Sequence, residues 1–257
     1  MRILEGKKIL VTGVTLNTSI AYAVADFATQ QGASVIVSNI PRAVSLTKRV
    51  VKHIEPTPEV LALDVTDDEA LKALPQQLRE NGFDHLDGVV HSIAYANPER
   101  ALGGAFLNTE WQDVAVALQT SAFSLKSLTM AVRDLLGEGS SIVGLTFDNT
   151  LSWPAYDWMG VAKSALESTS RYLARYLGKD GIRSNLVAAG PIDTIAKKAI
   201  PGDVDFNSVW AERAPLGWDA KDAYPAAKAV CALISDLFPA TTGEMLHVDG
   251  GLSSTGA

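Results

Sequence analysis

A tyrosine and a lysine stand seven residues apart, at Tyr156 and Lys163, within a stretch of helical periodicity over residues 155–177. Seven steps of about 100° point both side chains the same way, about 10 Å apart along the helix axis. A phenol beside an ammonium suits a reaction that places negative charge on an oxygen, because the ammonium lowers the cost of a phenolate and the phenol O–H can donate to that oxygen. An amphipathic helix that carries both residues without any reaction is the alternative interpretation of the pair alone.

Short apolar runs alternate with helical stretches around this pair. Strands are predicted at residues 8–13, 35–38, 60–65, 86–93, 141–147, 182–188 and 244–248. Helices are predicted at residues 19–31, 42–54, 67–81, 111–136, 155–177 and 220–237. The strand runs show little alternation, which is typical of strands covered by helices on both faces. The pattern predicts an α/β fold, a single doubly wound Rossmann-type parallel sheet flanked by helices, in one domain over residues 1–257.

Two long connections interrupt this alternation, at residues 95–108 and 191–218. Both leave the carboxyl ends of strands, which form the edge where such sheets bind ligands. Long connections at this edge are more often functional than idle. We therefore interpret the second one, at about 192–218, as a mobile substrate-binding lid.

The composition argues against several classes of protein. A net charge of −7, a pI near 5.1 and the lack of a dense Lys/Arg cluster disfavour a general nucleic-acid binder. The single cysteine, Cys231, leaves no internal disulfide and no cysteine metal cluster. No apolar run reaches the roughly 20 residues that a membrane span needs. We expect a cytoplasmic protein without a metal, a nucleic-acid partner or a membrane partner.

The turn after the first predicted strand is the candidate diphosphate site. A standard dinucleotide turn carries three glycines, and here only Gly13 stands. A helix that begins near Ser19 can still offer free N–H groups, a positive dipole end and a hydroxyl to a diphosphate. The alternative is an ordinary helix N-cap at Thr18 or Ser19.

The ends of the next two predicted strands suggest how an adenosine would be bound. Residues 38–42 (SNIPR) lack the acidic residue that usually holds the adenosine ribose. This absence weakens the preference for NAD over NADP. After the third strand, Asp64 can accept from an adenine amino group while Val65 packs on the ring. Asp64 could instead cap the helix that follows.

Further motifs occur in order along the chain. They are HSIA at 91–94, SIVGLTF at 141–147, KSALE at 163–167, RSNLVAAGPI at 183–192, TTGE at 241–244 and VDGG at 248–251. With these motifs the chain resembles, over essentially its whole length, the enoyl-acyl-carrier-protein reductases of bacterial fatty-acid synthesis, a divergent branch of the short-chain dehydrogenases/reductases. The runs VAKSALES at 161–168 and RAPLGW at 213–218 are similar to actinobacterial members. The seven-residue step from Tyr156 to Lys163 marks this branch, since ordinary short-chain dehydrogenases use four.

The resemblance implies a homotetramer that reduces the C2=C3 double bond of a trans-2-enoyl thioester of acyl carrier protein or CoA, with NADH favoured over NADPH. The implied cofactor-binding residues are Gly13, Ser19, Ile20, Ser38, Ile40, Asp64, Val65, Ser92, Ile93, Ala94, Lys163, Gly190, Pro191, Ile192 and Thr194. Lys163 would bond the nicotinamide ribose hydroxyls, the Ile192 backbone the carboxamide, and Thr194 the diphosphate. Ile40 falls where relatives stack an aromatic ring on adenine, so this contact should be weaker here.

The same resemblance places the acyl group beside Tyr156. Tyr156 would donate to the enolate oxygen together with a ribose hydroxyl held by Lys163, and Phe147 would pack near the thioester unless it is a plain core aromatic. The implied substrate-binding residues are Tyr95, Met159, Ala196, Ile200, Phe206, Val209 and Trp210, and Phe106 is expected in the same acyl tunnel. The lid is shorter than in the mycobacterial relative, which predicts shorter acyl chains.

Two rival functions fit the same fold. The first is a ketone/alcohol dehydrogenase, which the seven-residue step and the missing triple-glycine turn disfavour. The second is a non-catalytic dinucleotide sensor, which has no need of Tyr156, Lys163 and an apolar lid together. Oxidation of NADH by enoyl thioesters would separate both from the reductase.

Overall fold

Seven parallel strands form one sheet in the order β3-β2-β1-β4-β5-β6-β7 in the computed structural model, which describes residues 2–201 and 205–255. The strands are β1 Lys8–Thr12, β2 Ser34–Asn39, β3 Glu59–Ala62, β4 Gly88–His91, β5 Ser141–Thr146, β6 Arg183–Ala189 and β7 Met245–Val248. The helices are α1 Ile20–Gln30, α2 Val44–Val50, α3 Asp68–Glu80, α4 Trp111–Leu118, α5 Ser124–Ala131, α6 Asp157–Leu177, α7 Ile195–Lys198, α8 Phe206–Arg213 and α9 Tyr224–Ile234. The doubly wound fold predicted from the sequence is confirmed. No helix in the described ranges is long and apolar enough to cross a bilayer.

Helices cover both faces of the sheet, and successive strand residues point into two separate cores. In β1, Ile9 and Val11 belong to the core under α1 and α9, whereas Leu10 belongs to the core under α3, α5 and α6. In β5, Val143 belongs to the core under α1 and α9, and Ile142 belongs to the core under α3, α5 and α6. Because side chains alternate along a strand, two covered faces require apolar residues at every position, and this explains the continuous apolar runs.

The strand order reverses between β1 and β4, so the loops after these two strands part to opposite sides of the sheet. Thr12 joins the two strand ends: its Oγ1 donates to Val90 O at 2.9 Å and accepts from Ser92 N at 3.3 Å. Gly13 follows with φ +78°, and a Cβ at this position would stand 2.0 Å from Ser92 O. Only glycine permits so close an approach of the two loops.

The prediction of one unbroken helix over residues 111–136 is wrong. The α-helical turns of α4 stop at Leu118, a π-helical turn follows over Gln119–Phe123, and α5 ends at Ala131. The π turn lets Ser121 face inward, where it is fully buried. Its hydroxyl accepts from Tyr95 N at 2.9 Å and donates to Tyr95 O at 3.0 Å, which binds the loop after β4 to this helix.

The helix predicted at residues 42–54 is also shorter than expected, since only α2 is α-helical and 3₁₀ turns precede and follow it. Likewise α6 begins at Asp157 rather than at Ala155, and Tyr156 is its N-cap residue. Ala155 and Asp157 both have left-handed backbone, with φ of 61° and 41°. The Asp157 carboxylate accepts from Gly104 N at 2.6 Å, which holds this unusual entry to the helix.

The predicted lid contains two short helices, α7 and α8. Residues 202–204 between them lie outside the described part of the chain. A polar contact joins the two helices: Lys197 Nζ lies 2.7 Å from an Asp193 carboxylate oxygen and donates to Asn207 Oδ1 at 2.5 Å. The pKa of the Asp193 carboxyl is lowered, first by its hydrogen bond from Lys197.

Candidate active site

Tyr156 and Lys163 are both held against the end of β5. Lys163 Nζ donates to Leu145 O at 2.9 Å, and the Tyr156 ring meets the Phe147 ring edge-on at 5.2 Å between centroids. One strand end therefore positions the phenol and the amine. An ammonium has three donors, so two N–H groups of Lys163 remain for other acceptors.

Burial sets the protonation of both groups. Lys163 is 6% exposed, and burial lowers the pKa of its ammonium to about 8 despite the opposing charge of Glu167. The half-buried Tyr156 ring packs on Phe147 and against the cluster that contains Met159, and desolvation raises the pKa of its phenol. The expectation that the ammonium makes a phenolate accessible is therefore wrong, because desolvation dominates and leaves a neutral phenol. A neutral phenol keeps its O–H and can donate a hydrogen bond.

Three further rings pack around Phe147, the ring that contacts Tyr156. Phe147 lies 5.4 Å from Trp153, 6.0 Å from Phe206 and 5.6 Å from Trp210, measured between ring centroids. Phe206 and Trp210 are 5% and 2% exposed. The lid helix α8 thus supplies part of an aromatic cover over Phe147, and the half-buried Tyr156 contacts this cover through the Phe147 ring.

The remaining residues predicted to bind substrate are spread around this cover. Val209 packs against the same cluster, and Ile200 lies between this cluster and a second one that contains Met159. Ala196 is exposed. Phe106 stands apart from the Phe147 cluster, with its ring stacked on Trp158 at 4.9 Å.

Backbone and side-chain hydrogen bonds fix the loop after β1, which carries the predicted diphosphate site. Gly13 N donates to Ser38 O at 2.9 Å, which fixes the start of the turn. Ser19 is the N-cap of α1: its Oγ accepts from Tyr22 N and donates to Leu16 O at 2.7 Å. The N-cap alternative for the Ser19 hydroxyl is therefore what the structure shows. Ile20 opens the helix, where the first-turn N–H groups carry the positive dipole end.

At the adenosine end, Asn39 occupies the place of the usual acidic residue and points inward. Its Nδ2 donates to Val14 O at 2.6 Å, and its Oδ1 accepts from Ile40 N at 2.8 Å. Asn39 thus fixes the turn after β1 instead of reaching a ribose. None of the sequence motifs predicted this role of Asn39.

The carboxylate expected at the adenine is accessible at the end of β3. Asp64 is half-buried, and its Oδ1 accepts from the backbone N and the hydroxyl of Thr66. The cap of the next helix is Asp67, so the alternative role for Asp64 is wrong. Val65 beside it is buried.

The expected nicotinamide side is lined by the loops after β4 and β6. Ser92 and Ile93 are half-buried, while Ala94 and Tyr95 are exposed along the opening. Across from them, a Cβ at Gly190 would stand 2.8 Å from Trp210 Nε1.

Beyond Gly190, Pro191 O accepts from Trp218 Nε1 at 2.8 Å. The side chain of Ile192 is buried, and its backbone lies just after the end of β6. Thr194 is the N-cap of α7, with its hydroxyl accepting from Lys197 N.

Three residues important to this geometry were missed by the sequence motifs, namely Asn39, Ser121 and Trp153. Each acts through contacts between segments distant in sequence, which no local pattern displays. Among the described residues no three His, Cys, Asp or Glu side chains are grouped as a metal site would require.

Comparisons with known proteins agree with this geometry. A family model described as enoyl-(acyl carrier protein) reductase matches residues 13–253. A Mycolicibacterium smegmatis protein named enoyl-acyl-carrier-protein reductase (NADH) is 44% identical over 265 residues, with 98% of both chains covered. A Mycobacterium avium protein of the same name is 42% identical with the same coverage. A Staphylococcus aureus protein named as the NADPH-dependent reductase is 36% identical, over 96% of this chain and 97% of its own.

Proposed function

The chain belongs to the enoyl-acyl-carrier-protein reductase family, and we propose that it reduces the C2=C3 double bond of trans-2-enoyl thioesters in fatty-acid synthesis with NADH. The observation that carries this proposal is the shared anchoring of Tyr156 and Lys163. The phenol is packed on Phe147 and the amine is bonded to Leu145 O, two residues earlier in the same strand.

The loops at the carboxyl edge fit a dinucleotide. The Gly13 turn approaches Ser92 too closely for any side chain, and the N-terminus of α1 faces the diphosphate position with its free N–H groups. NADH supplies the hydride that adds to C3 of the enoyl group. Lys163, with two donors left beyond Leu145 O, would hold the nicotinamide ribose, and Asp64 would accept from adenine.

Tyr156 would act as a neutral donor to the thioester oxygen. Hydride addition at C3 collects negative charge on this oxygen as an enolate, and a donor fixed where charge develops contributes on the order of 3 kcal/mol. The raised pKa of Tyr156 keeps the proton on the phenol during this step. A proton from solvent completes the reaction at C2. The burial that raises the pKa of the phenol would also strengthen this hydrogen bond, because the effective dielectric constant is lower there than in water.

The substrate is carried by acyl carrier protein, and we propose that the functional unit is a cytoplasmic homotetramer. Large apolar side chains on α4, the π turn after it, α5 and α6 support self-association because they are exposed in the single chain. They are Trp111, Val116, Phe123, Met130, Tyr172 and Tyr176. Exposed patches of this kind mark interaction surfaces on most proteins. Sedimentation of the purified protein would test this state directly.

The deciding experiment is the loss of NADH absorbance with a ladder of enoyl thioesters and with secondary alcohols or ketones as alternatives. We expect turnover of enoyl thioesters by the wild type. Tyr156→Phe should lower kcat by about 10²-fold while the Kd for NADH stays nearly unchanged. Lys163→Ala should abolish NADH binding. Equal and mild losses in both variants, or oxidation of alcohols without enoyl reduction, would refute the proposal.

A further inference from the structure

The indole N–H of Trp210 is a buried donor that has no acceptor among the described residues. Its ring is 2% exposed. Three other indoles each donate to a backbone carbonyl: Trp153 to Asp148 O at 2.6 Å, Trp158 to Phe106 O at 3.1 Å and Trp218 to Pro191 O at 2.8 Å. Buried indole N–H groups usually find a partner, so the contrast within one chain requires an explanation.

A change of protonation state or tautomer cannot provide the Trp210 N–H with a partner. The buried Nδ1 of His91 also has no partner among the described residues, but an imidazole nitrogen can be donor or acceptor according to its tautomer. An indole nitrogen is a donor only. The N–H of Trp210 therefore requires an acceptor from outside the described contacts.

The position of this donor points to the ligand. A Cβ at Gly190 would lie 2.8 Å from Trp210 Nε1, so the indole nitrogen lies against the end of β6, where the cofactor loop begins. The same ring packs at 5.6 Å on Phe147, which in turn packs on Tyr156. The donor thus lies beside Gly190, one of the residues expected at the cofactor, on a ring that packs against Phe147.

We propose that the Trp210 N–H donates a hydrogen bond to an amide carbonyl of a bound ligand, and that Trp210 is therefore a positioning donor as well as an apolar wall. This inference rests on the proposed function. Tyr156 is the donor for the thioester oxygen, so the carbonyl left for Trp210 is an amide. Two sources offer one: the thiol arm of the substrate and the carboxamide of the nicotinamide. Because Trp210 belongs to α8, the same bond would fasten the lid to the ligand.

The test replaces Trp210 by β-(3-benzothienyl)alanine, which keeps the bicyclic ring and exchanges the N–H for sulfur. The same replacement at Trp153 is the matched control, because that neighbouring indole donates within the protein. Without ligand, Tm should fall for the Trp153 replacement, which loses its bond to Asp148 O, and should hold or rise for the Trp210 replacement, which loses an unpaired donor.

Three crotonyl thioesters distinguish the substrate arm. Coenzyme A and N-acetylcysteamine carry an amide beyond the sulfur, and ethanethiol carries none. If the arm is the acceptor, the Trp210 replacement should raise KM for the first two by roughly three- to tenfold and leave the ethanethiol ester unchanged. If the nicotinamide carboxamide is the acceptor, the Kd for NADH should rise by a similar factor while ADP-ribose binds as before.

The proposal is overturned if the Trp210 replacement changes all three thioesters equally with NADH affinity unchanged, or if its effects match those at Trp153. A fall in Tm for ligand-free protein would also overturn it, because the N–H would then have a partner. A wild type that reduces no enoyl thioester refutes the proposed function instead. The comparison of NADH with ADP-ribose would still decide whether Trp210 is a donor.

Discussion

Lys163 Nζ lies 2.9 Å from Leu145 O, so the amine of α6 is bonded to the strand whose next residues lead to Phe147. This bond uses one of the three ammonium donors and directs the others away from β5. Phe147 packs on Tyr156 from the same strand end. A displacement of the end of β5 would move both proposed functional groups together.

The lowered pKa of Lys163 predicts that NADH affinity falls with rising pH. The free enzyme holds the ammonium below about pH 8 and loses its proton above that value. If only the ammonium form binds well, the Kd for NADH should rise up to about tenfold between pH 7 and pH 9. Fluorescence titration of NADH across this range measures the effect.

Lys163→Met is the control for this titration. Any NADH affinity that this variant retains should not change with pH between 7 and 9. His91 does not interfere, because burial lowers its pKa to about 3 and it stays neutral throughout. A wild-type Kd that is flat across pH 8 would contradict the assignment. The sign for stability is opposite: the unfolded chain binds the Lys163 proton more tightly, so the free energy of unfolding rises with pH above about 8.

A second prediction concerns Asn149, which links the loop after β5 to α6 by two hydrogen bonds. Its Nδ2 donates to the Glu167 carboxylate, and its Oδ1 accepts from Ser164 Oγ at 2.5 Å. Ser164 follows Lys163 directly, so this link fixes the spacing between strand and amine. Asn149→Ala should lower kcat by about tenfold with a smaller change in KM.

Thr150→Ala is the matched control for Asn149, because Thr150 bonds only to the Asp148 carboxylate and leaves α6 alone. Asn149→Asp gives a sharper readout. It places a second carboxylate against Glu167, so activity should recover as the pH falls and one of the two becomes protonated. Equal kinetics for the alanine variants at Asn149 and Thr150 would remove the positioning role.

The sheet was predictable from the sequence because its strands are buried on both faces and show that burial as continuous apolar runs. The interruption after Leu118 was not predictable, since the residues of the π turn remain compatible with a helix. Its cause is tertiary: Ser121 bonds to both backbone groups of Tyr95, a partner 26 residues away.

For Tyr156 and Lys163 too, one property could be predicted from the sequence and another could not. The spacing of Tyr156 and Lys163 indicated that both face one site, and both do meet the end of β5. The pKa of the phenol depends on the residues that bury it. Ala96, Leu102 and Ala117 come from segments distant in sequence, so the burial that raises the pKa of Tyr156 could not be inferred from the local sequence.

A third prediction concerns acyl chain length. Phe206 fills the space beside Phe147 and is 5% exposed, so the aromatic cover should limit the acyl chain. The ratio of kcat/KM should favour short and medium enoyl thioesters over chains of 16 carbons or more. Phe206→Ala should shift this ratio toward longer chains, whereas Phe238→Ala, at a surface ring far along the sequence, should not. A wild type that prefers the longest substrates would contradict the shorter lid as a limit.

The last prediction separates stability from catalysis at Arg183. Its guanidinium is buried and donates to the carbonyls at the end of α9, to Leu233 O at 2.6 Å and to Ser235 O at 3.2 Å. These carbonyls belong to the last turn of a helix and have no intrahelical partners. Arg183→Met removes these donors and leaves Leu233 O with the Ser141 hydroxyl, so it should lower the free energy of unfolding by roughly 1–3 kcal/mol. Urea unfolding measures this loss. Since Arg183 lies at the opposite end of β6 from Gly190, the KM values of the folded variant should match the wild type, and a changed KM for NADH would show that the two ends of the strand are coupled.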